Sequence, residues 1–180
     1  MGHVDHESQS AGRSVCCAII TCSDTRTPDN DTSGRKIQEL LTAAGHIVGH
    51  YQIVPDEPAA IRQVCKQMAR RADLHALIFN GGTGISRRDN TYETVIRQLS
   101  QFIPGFGEIF RQLSFEAIGP AAYLSRAFAG IIITKVTKGA NDHEKHVVVF
   151  CLPGSTPAVE LALQRLILPT LPHLAWEIAR

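Results

Sequence analysis

Short apolar runs, each closed by a polar or glycine-bearing segment, alternate along this chain with stretches of helical periodicity. Val15 to Thr21 (VCCAIIT) is apolar almost throughout, as expected of a strand covered on both faces. Asp31, Thr32 and Ser33 offer N-caps for a following helix that turns Ile37, Leu40 and Leu41 inward, with Gly45 placed for its C-terminal cap. Ile47 to Val54 predicts a second strand. Asp56 or Glu57 then caps a helix with Pro58 in its first turn and Ile61, Val64, Cys65 and Met68 at i, i+3, i+4, i+7. Leu74 to Phe79 predicts a third, buried strand. Beyond it, Asn90 with Glu93 three residues on reads as a capping box for a helix to about Ser100.

Pro104-Gly105 breaks the pattern. Phe106 to Ala117 then reads as a helix with Ile109, Phe110 and Leu113 on one face, and Ala121 to Arg126 as a short helical piece. Gly130 punctuates. Ile131 to Val136 (IIITKV) predicts a β-branched strand, with Lys138 to His146 as a polar turn joining it in a hairpin to Val147–Leu152. Pro153 to Pro157 opens a helix over about Ala158 to Leu168, and a last turn or two with Leu174 and Trp176 closes the core.

Strands alternating with helices over the first hundred residues predict an α/β fold: a mainly parallel sheet sandwiched by helices, with a small hairpin. A single domain over residues 15–180 is expected, preceded by a polar tail, residues 1–14, read as disordered. The net charge of +1 and the lack of a long basic run argue against a nucleic-acid partner. No apolar stretch approaches the roughly 20 residues of a membrane span, and the polar start lacks an apolar signal core, so a cytoplasmic protein is expected. The five cysteines (16, 17, 22, 65 and 151) are odd in number and form no CxxC pair, which predicts reduced, buried thiols.

Chemistry concentrates where strands end. Ser23-Asp24-Thr25, Gly81 to Gly84 and Gly154-Ser155-Thr156 each follow an apolar run, and in parallel sheets ligands bind beyond the carboxyl ends of the strands. Strand, glycine turn and helix N-terminus (NGGTGISRRDNTYETV, 80–95) is a geometry suited to anions, although a plain turn is the competing reading. Known phosphate fingerprints fail. No lysine follows the glycines as in a P-loop, and Arg87 stands where GxGxxG needs its third glycine, which disfavours kinases and nucleotide-dependent oxidoreductases.

NGGTGISRRDNT resembles the TGGTGxxxRDxT signature of the molybdopterin-binding fold of the MoaB and MogA family. SDTRTPDNDTSG, VPDE, GFGEIFRQLSFEAIGPAAYLSRAFAG and LPGSTPAV follow the family's other landmarks in order, with SDTRT, DTSG and PGST closer to the MoaB branch. The resemblance implies a three-layer α/β/α sandwich, a homo-oligomer of three or six subunits, contact with other molybdenum cofactor biosynthesis proteins, and adenylylation of molybdopterin from ATP with Mg²⁺. It places the catalytic and Mg²⁺-holding pair at Asp56 and Asp89. The pterin phosphate is expected at Gly81, Gly82, Thr83, Gly84, Gly154 and Ser155, with Ser125 and Arg126 beside it. ATP is expected over Ser23, Asp24, Asp31 and Ser33. On the residues alone, Asp56 reads as a helix cap rather than a catalytic group, and Arg126 is open to a surface ion pair. A carboxylate at Asp89 beside a phosphate cradle becomes electrostatically consistent once a divalent cation bridges them. A carrier that binds pterin without catalysis is the alternative. Asn80 replaces the signature's first threonine with a group that still donates and accepts, and 131–146 is longer than the family's usual connection. His143-x-x-His146 reads as a solvated hairpin tip rather than a metal site.

Overall fold

The computed structural model describes residues 13–138 and 141–179, so nearly all of the expected tail lies outside the described residues. Six strands form one sheet in the order β2-β1-β3-β6-β5-β4: β1 Cys16–Cys22, β2 Ile47–Val54, β3 Ala76–Asn80, β4 Gln101–Ile103, β5 Phe128–Lys138 and β6 Asn141–Leu152. β1, β2, β3 and β6 are mutually parallel, while β5 runs antiparallel to both β6 and β4. Alternation within each apolar run divides the residues between two cores. Cys17, Ile19, Ile78, Val148 and Phe150 face α1 (Thr32–Ala43) and the C-terminal helices. Ala18, Ile20, Leu77, Phe79 and Val149 face α2 (Pro58–Ala69) and α3 (Thr91–Ile96). That is the expected three-layer α/β/α sandwich, and it explains why the central strands read as unbroken apolar runs.

Several boundaries differ from those predicted. α3 ends at Ile96, and the chain then enters β4, a three-residue strand without a pattern of its own that exists by pairing with Ala129–Ile131. Gly130 is inside β5 rather than a boundary, because Leu99 and the Gln101 carbonyl crowd its α-carbon: a Cβ there would lie 2.4 Å from Leu99 Cδ1. Much of the predicted hairpin turn is strand, with pairing continuing to Lys138 and Asn141. Pro104 opens α4 (Pro104–Ile118) rather than breaking it, and Phe110 is its buried anchor while Ile109 is half exposed. A 3₁₀ turn, Gly119–Leu124, stands in place of the short helical piece predicted over Ala121 to Arg126. From Thr156 the chain is helical without interruption: α5 (Thr156–Ala162), a π-turn over Leu163–Ile167, and α6 (Leu168–Glu177), which carries Pro172 within it.

All five cysteines are free, and burial pushes the thiols of Cys17, Cys22 and Cys65 up to about 12, so they are inert core residues. No helix among the described residues is long and apolar enough to cross a membrane.

Candidate active site at the glycine turn

The carboxyl ends of β1, β3 and β6 meet where strand order reverses about β1. Gly81 (φ +91°) and Gly82 (φ +61°) occupy left-handed backbone that side chains rarely adopt. Each is also crowded: a Cβ on Gly81 would lie 2.5 Å from the Cys22 carbonyl, and one on Gly82 would lie 2.2 Å from Asp56 Oδ2. Gly154 packs against Gly81, and the Gly81 N–H donates to the Leu152 carbonyl at 3.1 Å, which stitches the two loops together. Gly81 to Gly84, Pro153 to Ser155, Ser125, Arg126 and Asp89 line one pocket of about 410 Å³. Its far wall is apolar, from Phe110, Ile118, Leu124 and Ala158, which the sequence patterns had assigned only to helix packing. Among the described residues, the hydroxyl oxygen of Ser125, a lining residue, is buried without a hydrogen-bond partner.

The helix N-terminus after the turn does not wait for an external anion. Asn90 N–H (3.1 Å) and Thr91 Oγ1 (3.0 Å) both donate to Asp56 Oδ1, so the protein's own carboxylate occupies that position. Asn90 caps nothing with its side chain; its Nδ2 donates to the carbonyls of Asp56 and Arg88. The predicted capping box is therefore absent, and Glu93 instead pairs with Arg126. Nor does Asp56 cap α2, whose N-cap position is Glu57. Burial raises the proton affinity of Asp56, Asp89 and Asp24 add to it, and the two donated hydrogen bonds offset it only in part. Asp89 borders the same turn, with its Oδ2 accepting from Ser86 N–H at 2.9 Å and pressed against Gly84. Asp56 and Asp89 thus lie near enough for their charges to interact.

Other expected site residues have structural roles. Asp31 is fully buried: Oδ1 accepts from Gly34 N–H at 2.9 Å, and Oδ2 accepts from Thr21 Oγ1 at 2.5 Å and Tyr51 OH at 2.8 Å. Burial opposes its ionisation, but donors from Thr21, Gly34, Tyr51 and Ser33 outweigh that and hold its carboxyl below the usual range. Ser33 is buried too, facing Asp31 Oδ1 and Asn80 Oδ1, while Asn80 Nδ2 donates to Thr21 at 2.9 Å. Asp31 and Ser33, expected against ATP, are instead a polar knot joining α1 to β1 and β3, because every oxygen of the carboxylate is already committed to an internal donor. Asn80 uses the capacity anticipated for it within that knot.

Ser23 caps its own turn, accepting from the N–H groups of Thr25 and Arg26. Asp24 pairs with Arg88, which draws its carboxyl below the ordinary value, and accepts from the Asp56 N–H at 3.2 Å. These two residues follow β1 but lie outside the wall of the 410 Å³ pocket. Arg126, expected as a phosphate clamp, binds the turn itself. It donates to the carbonyls of Thr83 (Nε, 2.8 Å) and Gly84, pairs with Glu93, and lies 4.6 Å over the Tyr92 ring. Those donors are taken up by the turn's own carbonyls. Arg126 still borders the pocket; its guanidinium fixes the cradle's shape. Among the described residues no set of three or more His, Cys, Asp or Glu forms a metal cage, His143 and His146 included.

Comparison with known proteins agrees with this geometry. A family model described as "Probable molybdopterin binding domain" matches residues 18–173. The chain is 49% identical over 178 residues to the molybdenum cofactor biosynthesis protein B of Halalkalibacterium halodurans, covering 98% of both, and 44% identical to that of Bacillus anthracis, covering 100% of this chain and 99% of the relative. A crystal structure of a molybdenum cofactor biosynthesis protein B, 44% identical, superposes with a TM-score of 0.83, covering 94% of this chain and 99% of that one. The tungsten cofactor synthesizing protein MoaB of Pyrococcus furiosus, 34% identical, gives 0.74 over 94% and 100%. The chain therefore belongs to the molybdopterin-binding family of molybdenum cofactor biosynthesis proteins that includes MoaB and MogA.

Proposed function

We propose that this protein binds molybdopterin in the glycine-turn pocket and adenylylates it from ATP. The observation that carries the reading is the state of Asp56. It is a carboxylate packed on Gly82, 6% exposed and burdened by burial and by two neighbouring carboxylates, with an ion pair formed only by Asp24 among the three. A fold gains nothing from uncompensated acidic charge there unless a cation and phosphates join it. The donor set suits Mg²⁺, which takes one or two carboxylates and completes its shell with water and phosphate oxygens rather than a full protein cage. Asp56 and Asp89 would hold it, and it would supply charge neutralisation on the triphosphate.

The chain's own residues then position the reactants. The terminal phosphate of molybdopterin lies over Gly82 to Gly84 and Ser155, with Ser125 in the same pocket wall. The apolar wall of Phe110, Ile118 and Leu124 fits the pterin. An oxygen of that phosphate attacks the α-phosphorus of ATP as the bond to the leaving diphosphate breaks. No covalent enzyme intermediate is needed, so positioning and electrostatics do the catalysis. ATP approaches across the Ser23-Asp24 edge. A homo-oligomer, a trimer or hexamer, and a cytoplasmic location accompany this reading.

Asp89→Ala tests it. Its side chain is outside the buried network, so the variant folds. AMP transfer, read as pyrophosphate release, falls by at least about 10²-fold while pterin binding persists. Undiminished turnover would falsify the assignment. A wild-type protein that binds pterin but releases no pyrophosphate with ATP and Mg²⁺ identifies a carrier instead.

A further inference from the structure

On the other side of Asp89 from the glycine pocket lies a second cavity of about 400 Å³, within the roughly 300–1,000 Å³ usual for small-molecule sites. Three guanidinium groups line it from three separate segments: Arg62 on α2, Arg87 in the loop after the glycine turn, and Arg97 at the end of α3. None of the three is hydrogen-bonded or ion-paired among the described residues, whereas Arg88 and Arg126, which flank the same turn, are both bonded within the fold. The acidic side chains in the same wall, Asp89 and Glu93, offset this charge only in part. Glu93 faces the cavity but is held by Arg126, with Arg97 adding only a longer-range attraction, and Asp89 is bonded to the Ser86 N–H. Three guanidinium groups against two carboxylates leave this concavity with an excess of positive charge, which a multivalent anion offsets.

We infer that this cavity is a binding site for a phosphate-chain anion of the diphosphate class. Guanidinium forks match phosphate oxygens in geometry, and three of them on one concave surface suit a ligand carrying two or more phosphoryl groups better than a single phosphate. The site stands apart from the glycine pocket, sharing only the Asp89 wall with it, and its assignment does not depend on the adenylyl transfer proposed above. The same chemistry is presented by free diphosphate and by the phosphate tail of a nucleotide.

Calorimetric titration with sodium pyrophosphate, orthophosphate and ATP, in chelator so that no divalent cation contributes, tests the site. Wild-type protein binds pyrophosphate saturably and more tightly than orthophosphate, and raised salt weakens the binding. Arg62→Gln combined with Arg97→Gln lowers pyrophosphate affinity at least about tenfold, as expected for the loss of two charged hydrogen-bonding groups. Arg62→Gln alone, on the exposed face of α2, lowers it by less and guards against a folding artefact, with thermal melting checked for both. A parallel loss for ATP identifies the nucleotide tail as a ligand; a loss confined to pyrophosphate identifies the free anion. Absence of saturable pyrophosphate binding to wild type, or unchanged affinity in the folded double variant, overturns the assignment.

Discussion

Asp31 and Asp56 are both buried carboxylates, yet their surroundings move them in opposite directions. Asp31 has four donors on two oxygens, and its carboxyl is held below the ordinary aspartate value of about 3.9. The stability it contributes is therefore present above that ordinary value and is lost as pH falls through the folded-state value. Asp56 is shifted upward, so its contribution has the other sign: favourable below the ordinary value, and lost as pH rises through the raised one. Asp31→Ala leaves Thr21, Tyr51 and Gly34 with donors facing a void, and it should cost about 3–5 kcal/mol in urea denaturation at neutral pH. Asp56→Asn keeps an oxygen for Asn90 and Thr91 but removes the charge. It should raise neutral-pH stability by about 0.5–2 kcal/mol while abolishing the proposed transfer. A melting temperature that falls in this variant would show that Asp56 is retained for the fold rather than for chemistry.

At the scale of elements, the glycine turn works by close approach rather than by flexibility. Gly82→Ala would force a side chain into left-handed backbone and onto Asp56 and Thr91, at a cost of about 3 kcal/mol in denaturant unfolding. Gly105→Ala is the matched control, since nothing lies within 4 Å of its missing Cβ. Comparable midpoints for the two variants would contradict the crowding account. The helix after the turn shows where local reading fails. Asn90 and Glu93 have the spacing of a capping box, but Asp56 and Arg126, each more than 30 residues away, supply better partners. Propensity proposes a local hydrogen bond, and a buried charge brought in by the tertiary fold displaces it.

At the scale of the whole molecule, exposed apolar side chains occur on several elements, Ile47, Ile85 and Phe102 among them, and are most frequent along α4 and the turn after it. Phe115, Ile118, Tyr123 and Leu124, on α4 and the turn after it, are 57%, 62%, 76% and 42% exposed. Under the proposed homo-oligomer these side chains would be covered by a neighbouring subunit. Ile118 and Leu124 also border the glycine pocket, so such an assembly would close around the site. Phe115→Glu with Ile118→Glu should convert a trimer or hexamer into monomer in sedimentation velocity; wild type sedimenting as a monomer would remove the oligomer from the reading.

Much of this protein is determined by its sequence alone. Runs such as Val15 to Thr21 and Leu74 to Phe79 can be satisfied only by strands buried on both faces, and the Ile61 to Met68 stripe only by a helix lying on them. Glycines between strand and helix mark the site because side chains rarely adopt the left-handed backbone of this turn. β4 and the full length of the hairpin were not legible, because three residues carry no period and long-range pairing decides them. The assignment of polar side chains belonged to the tertiary structure for the same reason. Whether Asp31, Asp56 and Arg126 face a ligand or hold the fold depends on which donors and acceptors lie within about 3 Å, and residues far apart in the chain supply them.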